Sequence, residues 1–463
     1  MYVQNVALRA YAGLHGRWSD YRSMYEAHNW ALAYLVARWT SAVFGTATVL
    51  AIYAAMAPLF GLGAALIAAS LVAVSTIHVL SSKFATTDVA AAFWVTLACA
   101  MILRIAHGGR WRHYLAAGVF CALGFATKYP AGGTVIGIAV AHLEAWSLNR
   151  PRRPLFSALS DRRLYLAIGV AALAGFCAGP YLVLDWHQTI RDLRDQWANV
   201  MIIGVVNRYG WPFLMLQALP ICFGVILEFL IVGGILWGVL RAKPGALALA
   251  AFIAIEFLML SRAHRVFFRY LLIPFPAMVI LAAAFASDLT ALAAAKVGRK
   301  LTIAGAALVF AAITVPFLAR DIEVNQLLLR VDTRILARQW IETHIPDGSV
   351  IAITSNTGDF GKPQLSAGYR LVPMGESLEG MRAKGIQWVF SDSLDQLPGF
   401  SSGPSARQQS ELAARAALVF DVDPIRTGAT APVFDQEDAF YVPVRNITSM
   451  ERPGPRIRIW RLK

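Results

Sequence analysis

Ten apolar stretches, at about 38–58, 62–79, 88–105, 114–129, 131–147, 164–184, 213–240, 245–261, 269–288 and 301–319, constrain this chain more than any other feature. A run of about 17–25 apolar residues, rising about 1.5 Å per residue as a helix, suffices for a hydrocarbon core roughly 30 Å thick. The expected fold is therefore mainly α, a polytopic transmembrane helical bundle of about 10 spans over residues 38–319. Composition agrees: 57% of residues are hydrophobic, 15% are charged and the mean hydropathy is +0.54, unlike an average soluble domain.

After Arg320 charges, Gly and Pro become frequent and no later stretch can span. Residues 320–463 are long enough for a soluble domain. "TRILARQWIETHI", "SLEGMRAKG" and "SARQQSELAARAALV" have helical spacing, whereas "SVIAIT", "IQWVFSD" and "RIRIWRL" read as strands. The expectation is a small α/β domain with no Gly-rich nucleotide fingerprint and no nucleophile motif. The sequon "NIT" at Asn446 is a weak match.

The net charge of +14 would suggest nucleic acid in a soluble protein, but the basic residues cluster in short interhelical loops, where they act as topology signals and contact membrane lipids. No nucleic-acid partner is expected. With ten spans both termini share a side, and the loops of the opposite side carry thirteen Lys or Arg against eight, which places both termini, and the C-terminal domain with them, outside the cytoplasm. Arg9, Arg17, Arg22 and Arg38 raise the outer total to twelve and narrow that margin. Cys99, Cys121, Cys177 and Cys222 lie in apolar runs and offer neither a disulfide framework nor metal-ligand spacing.

Four quoted segments, taken in order, resemble the GT-C superfamily of membrane glycosyltransferases, which includes protein O-mannosyltransferases and aminoarabinose lipid A transferases. They are "ARWTSAVFGTATVLAIYAAM" through "SSKFATTDVAAAFWVTLA", then "LGFATKYPAG", "HRVFFRYLLIPFPAMVILAA" and "DTRILARQWIETHIPDGSVIAI". The resemblance implies transfer of a sugar, with inversion, from a polyprenyl-phosphate donor to a hydroxyl of a lipid, glycan or protein acceptor at the outer face of a bacterial-type plasma membrane. It also implies a helix and an acidic loop ahead of Met1, with residues 1–37 the remnant of that loop and the primary base encoded upstream. A divalent cation is compatible with such chemistry, and no residue cluster demands one.

That reaction needs a base, cations for the departing phosphate and a groove for the isoprenoid. Asp88 is the best acid in the chain; the resemblance makes it the second acid of the site, while its place after Thr86 and Thr87 also suits a helix cap. Lys83 and Lys128 are cations at the same rim, suited to phosphate or to snorkelling beside lipid. Arg262, Arg265 and Arg269, with His264 and Tyr270, form a cationic patch that fits a phosphate, lipid head groups or the carboxylates of "DLRD". His187 beside Asp185 is a weak metal candidate, and Asp20, Glu26 and His28 sit in a segment that reads as an amphipathic interfacial helix. A transporter or flippase of a lipid-linked or small polar substrate is the rival: Glu228 and Glu256, the deepest acids on neighbouring spans, favour it, and the absence of an internal repeat counts against it. A third reading, a membrane-anchored binding protein, would leave the rim charges idle.

Overall fold

A computed structural model of the chain describes residues 30–149, 154–201, 210–264, 266–353, 361–366, 368–374, 378–393, 406–435 and 442–462. It divides into two compact units, Met1–Leu318 and Ala319–Lys463. The first is the expected helical bundle and the second a small α/β fold, so the chain is mainly helical with one C-terminal sheet. Six helical stretches among the described residues are long and apolar enough to cross a membrane.

Helix α1, Trp30–Val74, joins the first two predicted spans across a bend at Gly61, whose φ of 82° favours glycine. After a break at Ser75, α2 (Thr76–Lys83) finishes the second arm. Helix α3, Asp88–Ala106, is the buried centre of the bundle: Ala91, Ala92, Val95, Ala98, Cys99 and Ile102 are shielded, and α1, α4 (Trp111–Thr127) and α5 (Thr134–Asn149) pack around it. Small side chains let these helices approach closely, which substitutes for a hydrophobic driving force inside lipid.

Helix α6, Arg162–Ala178, packs on α4 and is followed by a short turn at Tyr181–Leu184. The segment beginning "DWHQTIRDLRDQW", expected as a loop, is a helix, α7 (Trp186–Met201). Trp186, Ile190, Leu193 and Trp197 recur at helical spacing along it and are exposed. That stripe suits a helix lying at a membrane surface.

Residues 213–240, expected as one span, contain a π-helical stretch at Leu214–Ala218 and, within α8 (Leu219–Leu240), a bend at Gly224. Helix α9, Ala246–Arg262, falls where predicted. Helix α10 starts at Phe275 rather than near 269 and runs to Val297. Pro274 and Pro276 explain the shift, since proline lacks an amide donor and is best tolerated at a helix start. Phe268–Leu272 is consequently a separate 3-10 turn. Helix α11, Arg299–Leu328, continues past the predicted end at 319.

A polar latch fastens the end of the bundle opposite the candidate site. The Tyr114 hydroxyl lies 2.8 Å from His142 Nδ1, and His142 Nε2 lies 3.0 Å from the Ala158 carbonyl. A carbonyl can only accept, so Nε2 carries the proton and Nδ1 accepts from tyrosine. Arg163 donates to the Gly109 carbonyl at 3.1 Å and to Asp161, holding that carboxyl below the usual range. Tyr114→Phe leaves the buried Nδ1 without a donor and is expected to destabilise the protein by about 1–3 kcal/mol. Thermal unfolding in detergent is the measurement, and an unchanged midpoint would mean that the latch does not hold the bundle together.

In the second unit five strands lie in the order β2-β1-β3-β5-β4: β1 (Val350–Ile353), β2 (Arg370–Pro373), β3 (Trp388–Ser393), β4 (Ala416–Val422) and β5 (Arg456–Leu462). β1 is parallel to β2 and β3, whereas β5 is antiparallel to β3 and β4. Helices α12 (Thr333–His344), α13 (Leu378–Ala383) and α14 (Ala406–Arg415) accompany the sheet, with Ile341, Ile351, Phe390 and Ile459 in one core cluster. The predicted helix over 405–419 ends at Arg415, because Ala416–Val422 pairs with β5 and that ladder overrides the helical propensity of "AALV". β2 was not among the expected strands. Asn446, in the sequon, has a left-handed backbone and donates from its amide to the Ala431 carbonyl at 2.9 Å.

Candidate active site

Three interruptions of the helical bundle meet at one of its ends: residues 84–87 between α2 and α3, residues 128–133 between α4 and α5, and residues 263–274 between α9 and α10. Each frees backbone and side chains that a continuous helix would point into lipid. Between them lies a cavity of about 410 Å³, lined by Thr86, Asp88, Lys128, Tyr129, Glu256, Arg269 and Tyr270 among others. That volume is within the usual range for a small-molecule site. Val200 and Met201 from the end of α7 add to its wall, and the His264 amide donates to the Val200 carbonyl at 2.9 Å.

Asp88 is the first residue of α3 and only 3% exposed. The residue in the capping position is Thr87, without a side-chain cap hydrogen bond, and the Asp88 carboxylate is engaged elsewhere. Lys128 Nζ donates to Asp88 Oδ1, and Arg269 Nε lies 3.8 Å from Oδ2. A negative charge at a helix N-terminus also matches the helix dipole.

Lys128 reaches this position because α4 stops at Thr127 and the chain passes through an extended residue before the 3-10 turn Tyr129–Gly133. Its ammonium sits 4.4 Å from the centroid of the Tyr270 ring. The Arg269 guanidinium lies over the Phe267 ring, 4.1 Å from its centroid. Aromatic faces favour a cation in such positions. One carboxylate thus faces two cations, and this clasp carries an excess positive charge suited to an anion such as a phosphate ester.

Of the residues nominated from sequence, Asp88, Lys128, Arg269 and Tyr270 line the cavity together. Lys83, the last residue of α2, and Arg262, the exposed last residue of α9, are not in its lining. Arg265, Asp20, Glu26 and His28 lie outside the described residues. Asp185 accepts the Gln188 amide at 3.3 Å and His187 packs against the Trp186 ring, so these two serve the start of α7. No group of three or more His, Cys, Asp or Glu that could hold a metal comes together among the described residues.

Two titratable residues of the lining, Tyr129 and Glu256, stand outside the set nominated from sequence for this site. The signal for Tyr129 is its place between Lys128 and Pro130, where a helix breaks. Glu256 was read only as a deep acid favouring transport; it is 3% exposed and lines the same cavity, which Glu228 does not.

Residues 33–179 match the family model for dolichyl-phosphate-mannose-protein mannosyltransferases, a family of the GT-C superfamily, which bears out the resemblance seen in the sequence. The matched stretch holds Asp88 and Lys128. No curated protein matches the chain by sequence. Among solved structures, apo ArnT from Cupriavidus metallidurans is similar at 16% identity, covering 77% of this chain and 78% of ArnT with a TM-score of 0.47. The same protein bound to undecaprenyl phosphate gives 13% identity over 92% of this chain and 84% of ArnT, with a TM-score of 0.47. The Archaeoglobus fulgidus oligosaccharyltransferase tethered with an acceptor peptide gives 17% identity and a TM-score of 0.48, covering 77% of this chain and 57% of that protein.

Proposed function

We propose that this integral membrane protein is a glycosyltransferase that moves a sugar, with inversion, from a polyprenyl-phosphate donor to an acceptor hydroxyl at the outer face of the membrane. The observation that carries the reading is the Asp88–Lys128–Arg269 clasp in a cavity at one end of an apolar bundle. Lys128 and Arg269 are assigned to the donor phosphate. As the acceptor oxygen bonds to the anomeric carbon, the bond from that carbon to the phosphate oxygen breaks, the electron pair leaves on the phosphate, which gains charge, and the acceptor's proton passes to solvent. Cations already fixed in place stabilise that charge without reorganising.

Asp88 is a positioning residue in this scheme. Both of its oxygens face cations, so it sets the spacing of Lys128 and Arg269 rather than taking the acceptor's proton. Tyr270 steers the lysine ammonium through its ring face. The apolar lining, including Met201, Met259, Leu260 and Ile273, suits the first isoprene units of the carrier. The acceptor is a lipid, glycan or protein hydroxyl.

The test uses the full chain in vesicles with native membrane extract as the acceptor pool and undecaprenyl-phosphate sugars labelled in the sugar. Transfer appears as label in a product together with sugar-free undecaprenyl phosphate. Label that crosses the bilayer still attached to its carrier would establish the transporter reading instead.

A further inference from the structure

Glu256 lies on the face of α9 that also presents Met259 and Leu260 to the cavity, as residues three and four apart on a helix do. Its Oε1 is buried and has no hydrogen-bond partner. No ion pair reaches it among the described residues. The chain has nonetheless been shaped around it: a Cβ added to Gly133 would stand 2.3 Å from Oε1, so the turn Tyr129–Gly133 leaves room for this carboxyl only because glycine closes it. The hydroxyl of Thr86, in the same lining, is likewise buried without a partner.

Buried polar atoms are almost always hydrogen-bonded, and an orphaned pair in one cavity calls for donors and acceptors from outside the chain. Two parts of the cavity lining differ in what they ask for. The clasp offers cations to an anion, whereas Glu256 offers carboxyl oxygens with no partner from the chain at Oε1. A ligand satisfying both is an anion bonded to a group rich in hydroxyls. A sugar phosphate ester has that form.

We infer that Glu256 is a specificity-determining residue that accepts hydrogen bonds from the sugar hydroxyls of the donor, with Thr86 as a second contact. This rests on the proposed function, because it takes the phosphate to sit at Lys128 and Arg269. Sites built to bond a hydroxyl reject ligands that lack it, since the buried acceptor is then left empty. The sugar, and not the carrier, is therefore what Glu256 reads.

The experiment compares binding of undecaprenyl phosphate with that of undecaprenyl phosphates bearing mannose, glucose, galactose or aminoarabinose, using the full chain in lipid nanodiscs. The wild-type protein is expected to hold at least one sugar-bearing probe about tenfold tighter than the bare carrier. Glu256→Gln, of nearly the same shape, removes most of that preference without weakening the bare carrier, since it takes an acid away from the lining that Lys128 shares. Gly133→Ala, which displaces the carboxyl without altering charge, gives the same result. A preference that survives both variants, or no preference in the wild type, overturns the inference while leaving the phosphate site standing. Failure of the wild type to bind even the bare carrier, which Lys128 and Arg269 are assigned to hold, would overturn the proposed function as well.

Discussion

Lys128→Met is expected to lower the turnover of sugar transfer by about 10²–10³, the range found when one preorganised donor to a developing negative charge is removed. The reason is local. Its ammonium is held on one side by the Asp88 carboxylate and on another by the Tyr270 ring, so its position is fixed before the donor arrives. The effect should fall mainly on kcat, because charge accumulates on the phosphate only as the glycosidic bond breaks. Lys128→Arg keeps the charge but replaces a compact ammonium by a planar fork, so it should recover only part of the loss. Steady-state kinetics on a labelled donor checks this. A change confined to KM would mean that Lys128 binds the ground state and the transition state equally.

The second large effect is on stability. Asp88 is 5% exposed in its side chain, and Lys128 and Arg269 are 16% and 21% exposed, so the clasp is mostly withdrawn from water. Removing one partner of such a group strands the other charges, at a cost of roughly 3–5 kcal/mol. Asp88→Ala is therefore expected to unfold well below the wild-type midpoint in detergent. Combining Asp88→Ala with Lys128→Met removes one of the stranded cations and should return part of that stability without restoring transfer. If the double variant is no more stable than Asp88→Ala, the two residues are not coupled and the clasp does not hold this end of the bundle.

The bundle was legible because lipid imposes one rule on every span, and apolar length alone reveals it. Asp88 and Lys128 were legible for a related reason: charges at the margins of apolar runs stand out, and the runs themselves say which end they share. The register within a break was not. Nothing in "RAHRVFFRYLL" distinguishes Arg262 from Arg269 as the residue turned toward Asp88; that depends on Pro274 delaying α10 and on the turn at Phe268–Leu272. Glu256 illustrates the opposite problem. Its depth in a span was visible, but whether it faces lipid, a neighbouring helix or a cavity is set by the rotation of α9 against Gly133, a packing relation between distant segments. Helix α7 was missed because a search for long apolar runs passes over a stripe with charges between its members.

The imbalance within the clasp, two cations to one carboxylate, bears on how the protein would be reset after each reaction. A loaded carrier presents a phosphate diester with a single negative charge, while the spent carrier presents a monoester that can carry two. The clasp alone therefore holds the phosphate of its by-product more firmly than that of its next substrate, and the sugar contacts at Glu256 are what let the loaded carrier displace the spent one. Under the proposed reaction, used lipid must leave into the bilayer before the next donor enters, and free carrier competes with loaded carrier for the clasp. The membrane around the protein would then regulate it through the pool of free carrier, with no dedicated regulatory site.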